Sequence, residues 1–97
     1  MTFDDLQALI DKMYSHKDRE RGVAATFMWL CEEVGELAAA LREGTPQERE
    51  EEFADVIAWL VTLANITDVN LTAALQKKYG QGCPGCGLLV CTCDSKP

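Results

Sequence analysis

The sequence predicts an all-α fold: an antiparallel helical hairpin with short flanking helices, completed by oligomerisation, and then a small cysteine-rich C-terminal tail. Three observations predict it. Apolar residues recur at helical spacing through most of the first 80 residues. The gaps between these runs carry helix-starting residues, Thr45-Pro46 and Asn70, and helix-stopping ones, Gly44 and Gly80. Four of the five cysteines crowd between positions 83 and 93, where the helical pattern has ended. The chain therefore divides into residues 1–80, one small domain, and residues 81–97, the tail.

Thr2 as N-cap with Asp5 in the first turn opens the first helix, and Phe3, Leu6, Leu9, Ile10 and Met13 carry its apolar stripe to about Tyr14. Ser15 to Gly22 is polar, charged and glycine-terminated, which predicts a loop with a short turn at Asp18. His16 in that loop is expected to be solvated. A second helix runs from Val23 to Arg42, with Phe27, Leu30, Val34, Leu37, Ala38 and Leu41 as its core stripe. Gly35 lies inside it at a cost of about 1 kcal/mol relative to alanine, and leaves a bare position that a backbone or ligand can approach. Cys31 is expected to be a small core residue.

Thr45, Pro46 and Glu48 together predict a capped helix start, and the helix continues to about Thr67. Its apolar surface includes Trp59, Leu60, Val61, Leu63, Ala64 and Ile66, wider than one neighbour covers, which predicts a homodimer or homotetramer. Asn70 caps a last helix through Tyr79.

The net charge of -7 argues against a nucleic-acid partner, since binding a phosphate backbone depends on clustered Lys and Arg. A nucleotide substrate stays open, because a bound cation reverses the local sign. The longest apolar run is far shorter than a membrane span, and no basic start precedes a long apolar stretch. The expectation is a cytoplasmic protein with no membrane partner.

The acids of the hairpin carry the chemistry. Glu33 and Glu36 lie three apart on one helix, and Glu52 and Asp55 three apart on the next. A short connection folds the two helices antiparallel, so four carboxylates point at one another. Burying them unpaired costs several kcal/mol or forces protonation. A hard divalent cation resolves this, and an all-oxygen ligand set suits magnesium, with manganese as second choice. The plain alternative is a pair of solvated helix faces. Against it, Val34, Leu37 and Leu41 flank the first pair, and Phe53, Val56, Ile57 and Trp59 crowd the second.

The blocks Glu32-Glu33-Val34-Gly35-Glu36 and Glu52-Phe53-Ala54-Asp55 resemble those of MazG-like nucleotide pyrophosphohydrolases, an all-α group. The likeness extends through V-G-E-L and F-A-D-V-I-A-W-L and spans about Val23 to Tyr79. It implies magnesium-dependent hydrolysis of a nucleoside triphosphate to the monophosphate and pyrophosphate, with Glu33, Glu36, Glu52 and Asp55 as metal ligands. Glu32, beside the cluster, is a candidate general base or second-metal ligand, with a solvent-facing side chain as the plain alternative. Lys78 matches a family lysine and implies a phosphate contact; Lys77, Arg21 and Arg19 are weaker candidates with an ordinary solvated reading. Trp29 or Phe27 is placed to stack on a base, against the plainer role of core aromatic. Asn70 departs from the acidic residue many relatives carry there, and the glycine-cysteine tail replaces an Asn and Arg beyond the lysine. Substrate contacts from that region are therefore open.

In the tail, Cys83-Pro84-Gly85-Cys86 and Cys91-Thr92-Cys93 supply four thiolates, enough for one structural zinc. Disulfides do not suit a reducing cytosol, and an unstructured tail is the plain alternative. Two rival functions remain: a phosphoribosyl-ATP pyrophosphohydrolase, which shares the acidic pattern, and a non-catalytic zinc-bearing dimeric interaction module. A di-iron carboxylate bundle needs Glu-x-x-His pairs, and none occurs. The base and sugar of the substrate are not specified.

Overall fold

The structure, a computed structural model, describes residues 1–97 as three helices and a tail with neither helix nor strand. The helices are α1 (Phe3–Glu43), α2 (Pro46–Ile66) and α3 (Leu71–Tyr79). No single helix is long and apolar enough to cross a membrane.

α1 starts as the sequence predicts. The Thr2 hydroxyl accepts from the Asp5 N–H and the Asp5 carboxylate accepts from the Thr2 N–H, both at 3.0 Å. The expected loop at Ser15–Gly22 is instead helix as far as Arg21. The segment is polar but contains no breaker before Gly22. Lys17, Arg19, Glu20 and Arg21 are good helix formers, and the pairs His16–Glu20 (3.5 Å) and Asp18–Arg21 (2.8 Å) run along one turn. His16 sits exposed on this helical face. Gly22 alone interrupts α1, with φ 83° and ψ 175°, a combination essentially confined to glycine. The break is stapled: the Thr26 hydroxyl donates to the Gly22 carbonyl at 2.6 Å, and Arg21 donates to both Thr26 and Asp18.

α2 is turned back by Gly44-Thr45. A Cβ at Gly44 would lie 2.7 Å from the Ala40 carbonyl oxygen, so the tight link needs glycine for space. The Thr45 hydroxyl accepts from the Glu48 N–H at 3.2 Å, but the Glu48 carboxylate bonds that same hydroxyl, so only half of the expected capping box forms. α3 follows after a turn in which Gln7 binds three partners. Its amide nitrogen donates to Asn65 and to the Val69 carbonyl, and its amide oxygen accepts from the Leu71 N–H. This ties the far end of α2 and the start of α3 to the N-terminal limb of α1.

The core lies in the α1–α2 seam: Ile10, Thr26, Leu30 and Ala40 from α1, and Val61, Thr62 and Ala64 from α2. This corrects the expected stripe of the second half of α1. Phe27, Val34 and Leu41 are exposed, and so is Cys31. Two apolar stripes lie side by side on this helix, and the single chain buries only the one through Thr26, Leu30, Leu37 and Ala40. On α2 the same division leaves Phe53, Ile57 and Leu60 exposed.

A carboxylate cluster in the helical seam

Positions 33 and 52 continue the buried stripes of α1 and α2, so Glu33 and Glu52 occupy places where leucine would be expected. Carboxylate oxygens of Glu33, Glu36 and Glu52 lie within 4.8 Å of one another. Glu33 and Glu52 are partly buried, and the Oε2 atom of each is buried with no hydrogen-bond partner. Three ion pairs occur in the chain, and none involves these acids. Burial first, and then the charges of Glu36 and Asp55, raise the Glu33 and Glu52 carboxyls above the usual 4.5. Asp55 is thus within reach of the cluster's field, although it stands outside the tight triplet and is exposed.

The cluster opens into a cavity of about 280 Å³ beside the hairpin turn, lined by Glu36, Ala39, Glu43, Gly44, Glu48 and Glu52 among others. Glu43 and Glu48 were not singled out by spacing. The available signal was geometric: each is about two turns or one turn from Glu36 and Glu52 on the same helix. Arg49, also partly buried, donates to the Gly44 carbonyl at 2.9 Å while its Nε stays unpaired.

One turn from Glu33, Trp29 stacks on Trp59, with ring centroids 6.0 Å apart and planes 15° from parallel. The Arg21 guanidinium lies 4.8 Å from the Trp59 ring centroid. Arg21 is held by Asp18, Thr26 and Trp59, which corrects the solvated reading of this side chain. Trp29 keeps 46% of its surface exposed. Glu32 and Gly35 are exposed, and nothing beyond its own helical turn comes within 4 Å of where a Gly35 Cβ would be.

Other sequence-predicted residues stand apart from the acids. α3 leaves α2 at 99°, and the α2 end from which it departs is about 20 Å along the helix from Glu52. Lys78, near the end of α3, is exposed and lies 5.6 Å from the Tyr79 ring centroid. Lys77 is exposed beside it, and Arg19 lines a different, open cavity with Asp4, Asp11 and Asp68.

The donor set fits a hard divalent cation on three counts: it is all oxygen, two of its buried oxygens lack partners, and its own charges disfavour the ionised state.

The tail holds a second cluster of a different kind. The four Sγ atoms of Cys83, Cys86, Cys91 and Cys93 all lie within 4.8 Å of one another. Backbone N–H groups of Thr92 and Leu88 bring the Cys86 thiol down to about 6, and those of Cys86 and Gly85 lower Cys83. Cys93 is pushed up to about 11, chiefly by the neighbouring Cys91 thiol.

No curated protein matches the chain. The family model of the MazG nucleotide pyrophosphohydrolase domain matches residues 21–86, which takes in both acid pairs and the break at Gly22. With about two thirds of its length matched, and the matched acids converging in one helical seam, the chain belongs to the MazG nucleotide pyrophosphohydrolase domain family.

Proposed function

We propose that this protein is a magnesium-dependent hydrolase that converts a nucleoside triphosphate to the monophosphate and pyrophosphate. The observation that carries the reading is the pair of buried, unpartnered oxygens of Glu33 and Glu52 beside Glu36. A folded protein tolerates such groups poorly unless a ligand completes them. Glu33, Glu36 and Glu52 would hold the ion with Asp55, and manganese would serve in place of magnesium. When bound, a hard divalent ion neutralises phosphate charge and lowers the pKa of water.

The chain's own residues supply the rest. Glu32, exposed one position from the cluster, accepts the proton of the attacking water. Trp29 offers its free face to the base and stacks on Trp59, which in turn packs against Arg21. Because α3 turns 99° away from α2, we assign the phosphate contact of Lys78 to a neighbouring subunit. The exposed stripes of Phe27, Val34 and Leu41 on α1 and Phe53, Ile57 and Leu60 on α2 support a homodimer or homotetramer. We take residues 1–80 as the catalytic domain and residues 81–97 as an appended module whose soft thiol donors select zinc. The proposed compartment is the cytoplasm.

The test is pyrophosphate release by purified protein from a panel of canonical, deoxy and modified triphosphates and phosphoribosyl-ATP, with and without magnesium. The expected result is magnesium-dependent release from at least one triphosphate. Glu36→Gln should stay folded and lose about 100-fold or more of that activity. No release from any triphosphate, or full activity in Glu36→Gln, would overturn the proposal.

A further inference from the structure

Residues 81–97 contain no helix, no strand, no fully buried residue and no ion pair, yet they bring four sulfurs together. We propose that Cys83, Cys86, Cys91 and Cys93 bind one zinc ion in a closed structural centre. In this centre the metal folds the tail and fixes it to the end of α3. The inference rests on the zinc reading of the tail and adds to it what the metal does there.

The distances suit the ion. Four sulfurs about 2.3 Å from a tetrahedral zinc stand about 3.8 Å from one another. The Sγ atom of Cys83 lies 3.5 Å from that of Cys91 and 4.0 Å from that of Cys93. Each half of the centre also directs a backbone donor at sulfur: the Gly85 N–H donates to Cys83 at 3.4 Å, and the Cys93 N–H to Cys91 at 3.3 Å. Such bonds spread thiolate charge, which four sulfurs around a dication require.

The backbone is shaped around this convergence. The Gly87 N–H donates to the Cys83 carbonyl at 2.6 Å, and the Cys83 N–H donates to the Leu88 carbonyl at 2.8 Å, which closes the first cysteine pair into a knuckle. Gly82 adopts φ +111°, and a Cβ there would lie 2.8 Å from the Leu88 carbonyl oxygen. A Cβ at Gly85 would lie 3.0 Å from the Cys93 sulfur. The glycines thus let the two cysteine pairs meet. With four protein sulfurs the coordination is complete, so the centre has no open position for substrate or water.

The knuckle begins at Cys83, four residues after α3 ends at Tyr79. The Gly82 N–H donates to the Tyr79 carbonyl at 3.0 Å, and Tyr79 shares a cavity of about 500 Å³ with Pro84, Leu89, Cys91 and Cys93. The family match stops at Cys86, so the second ligand pair lies beyond it.

The experiment uses the full chain purified under reducing conditions without chelator. Metal analysis should find one zinc per chain in wild type and in Glu36→Gln, and none in a Cys91→Ser/Cys93→Ser double variant. Cobalt substitution should give the visible spectrum of a tetrahedral tetrathiolate. Zinc removal should collapse the amide NMR dispersion of residues 82–95 and leave that of α1 and α2 in place. Absence of zinc from wild type would overturn the zinc reading and this inference together. Bound zinc with unchanged tail amides after its removal, or a cobalt spectrum with fewer than four sulfurs, would overturn the structural role alone.

Discussion

The carboxylate cluster and the thiol cluster hold donors of one kind each, but the chain assembles them by opposite means. Glu33 and Glu52 come from different helices and sit in a seam built by Leu30, Ala40 and Val61. That frame is built from helix-to-helix packing, and the acids inside it repel one another. The four cysteines fall within eleven residues of sequence that form neither helix nor strand and are held by a few local backbone bonds. In the first cluster the helices position the carboxylates and leave two of their oxygens without a partner. In the second, on our proposal, the metal supplies the order. A prebuilt, strained acidic site suits an ion that enters with substrate and exchanges, whereas a closed sulfur site suits an ion that stays.

The largest effect that would separate the two comes from neutralising one seam carboxylate. Glu52→Gln keeps the size of the side chain and removes its charge. Pyrophosphate release should fall by about 100-fold or more, while zinc content stays at that of wild type. Loss of zinc together with activity would mean that the centres are not independent. Next in size is Trp29→Ala. Stacking on a base contributes about 1–3 kcal/mol, so KM should rise about tenfold or more with kcat little changed. An unaltered KM would assign Trp29 to packing against Trp59.

These two variants also mark what the sequence made legible. The helix starts at Thr2, Thr45 and Asn70 depend on local side-chain-to-backbone bonds, and all three form where the pattern puts them. The convergence of Glu33, Glu36 and Glu52 follows from helical spacing and a two-residue link, both readable from the chain. The stripe that faces inward is only half readable: Leu30 and Leu37 belong to the expected stripe and turn inward, whereas the more apolar Phe27, Val34 and Leu41 stay exposed, and only the partner helix decides between them. The grip on Arg21 was hidden for a related reason. It forms beside the break at Gly22, where Thr26 bonds both the Gly22 carbonyl and the guanidinium that meets Trp59. The polar composition of Ser15–Arg21 predicts a loop, whereas its charges pair one turn apart along a helix.

Gly22 provides the third test. Its backbone conformation is costly for any residue with a Cβ, even though nothing lies within 4 Å of where that atom would be. Gly22→Ala should therefore destabilise the helical domain by about 1–3 kcal/mol through backbone strain alone, read as a lower midpoint of thermal or urea unfolding. The carboxylate centre shares that frame and should bind magnesium more weakly. The thiol centre does not share it and should keep its zinc. An unchanged midpoint would show that α1 can straighten through position 22.

The smallest effect is a difference in sign with pH. Burial and neighbouring charge raise the Glu33 and Glu52 carboxyls above 4.5, so just above that value the folded apo-protein binds more protons than the unfolded chain. In the magnesium-free protein these two groups therefore stabilise the fold as pH falls through this window and cost stability as pH rises out of it. Magnesium should flatten or reverse the slope, because protons then compete with it for the ionised carboxylates, and Glu33→Gln should flatten it without magnesium. At the thiol centre the sign reverses, because protons compete with zinc for sulfur and acid favours release. Urea midpoints measured across mildly acidic pH, alongside retained zinc, follow both centres in one series. Midpoints that fall with acid even in the magnesium-free protein, with no difference in slope between wild type and Glu33→Gln, would mean that the seam acids are not the strained partners in the comparison.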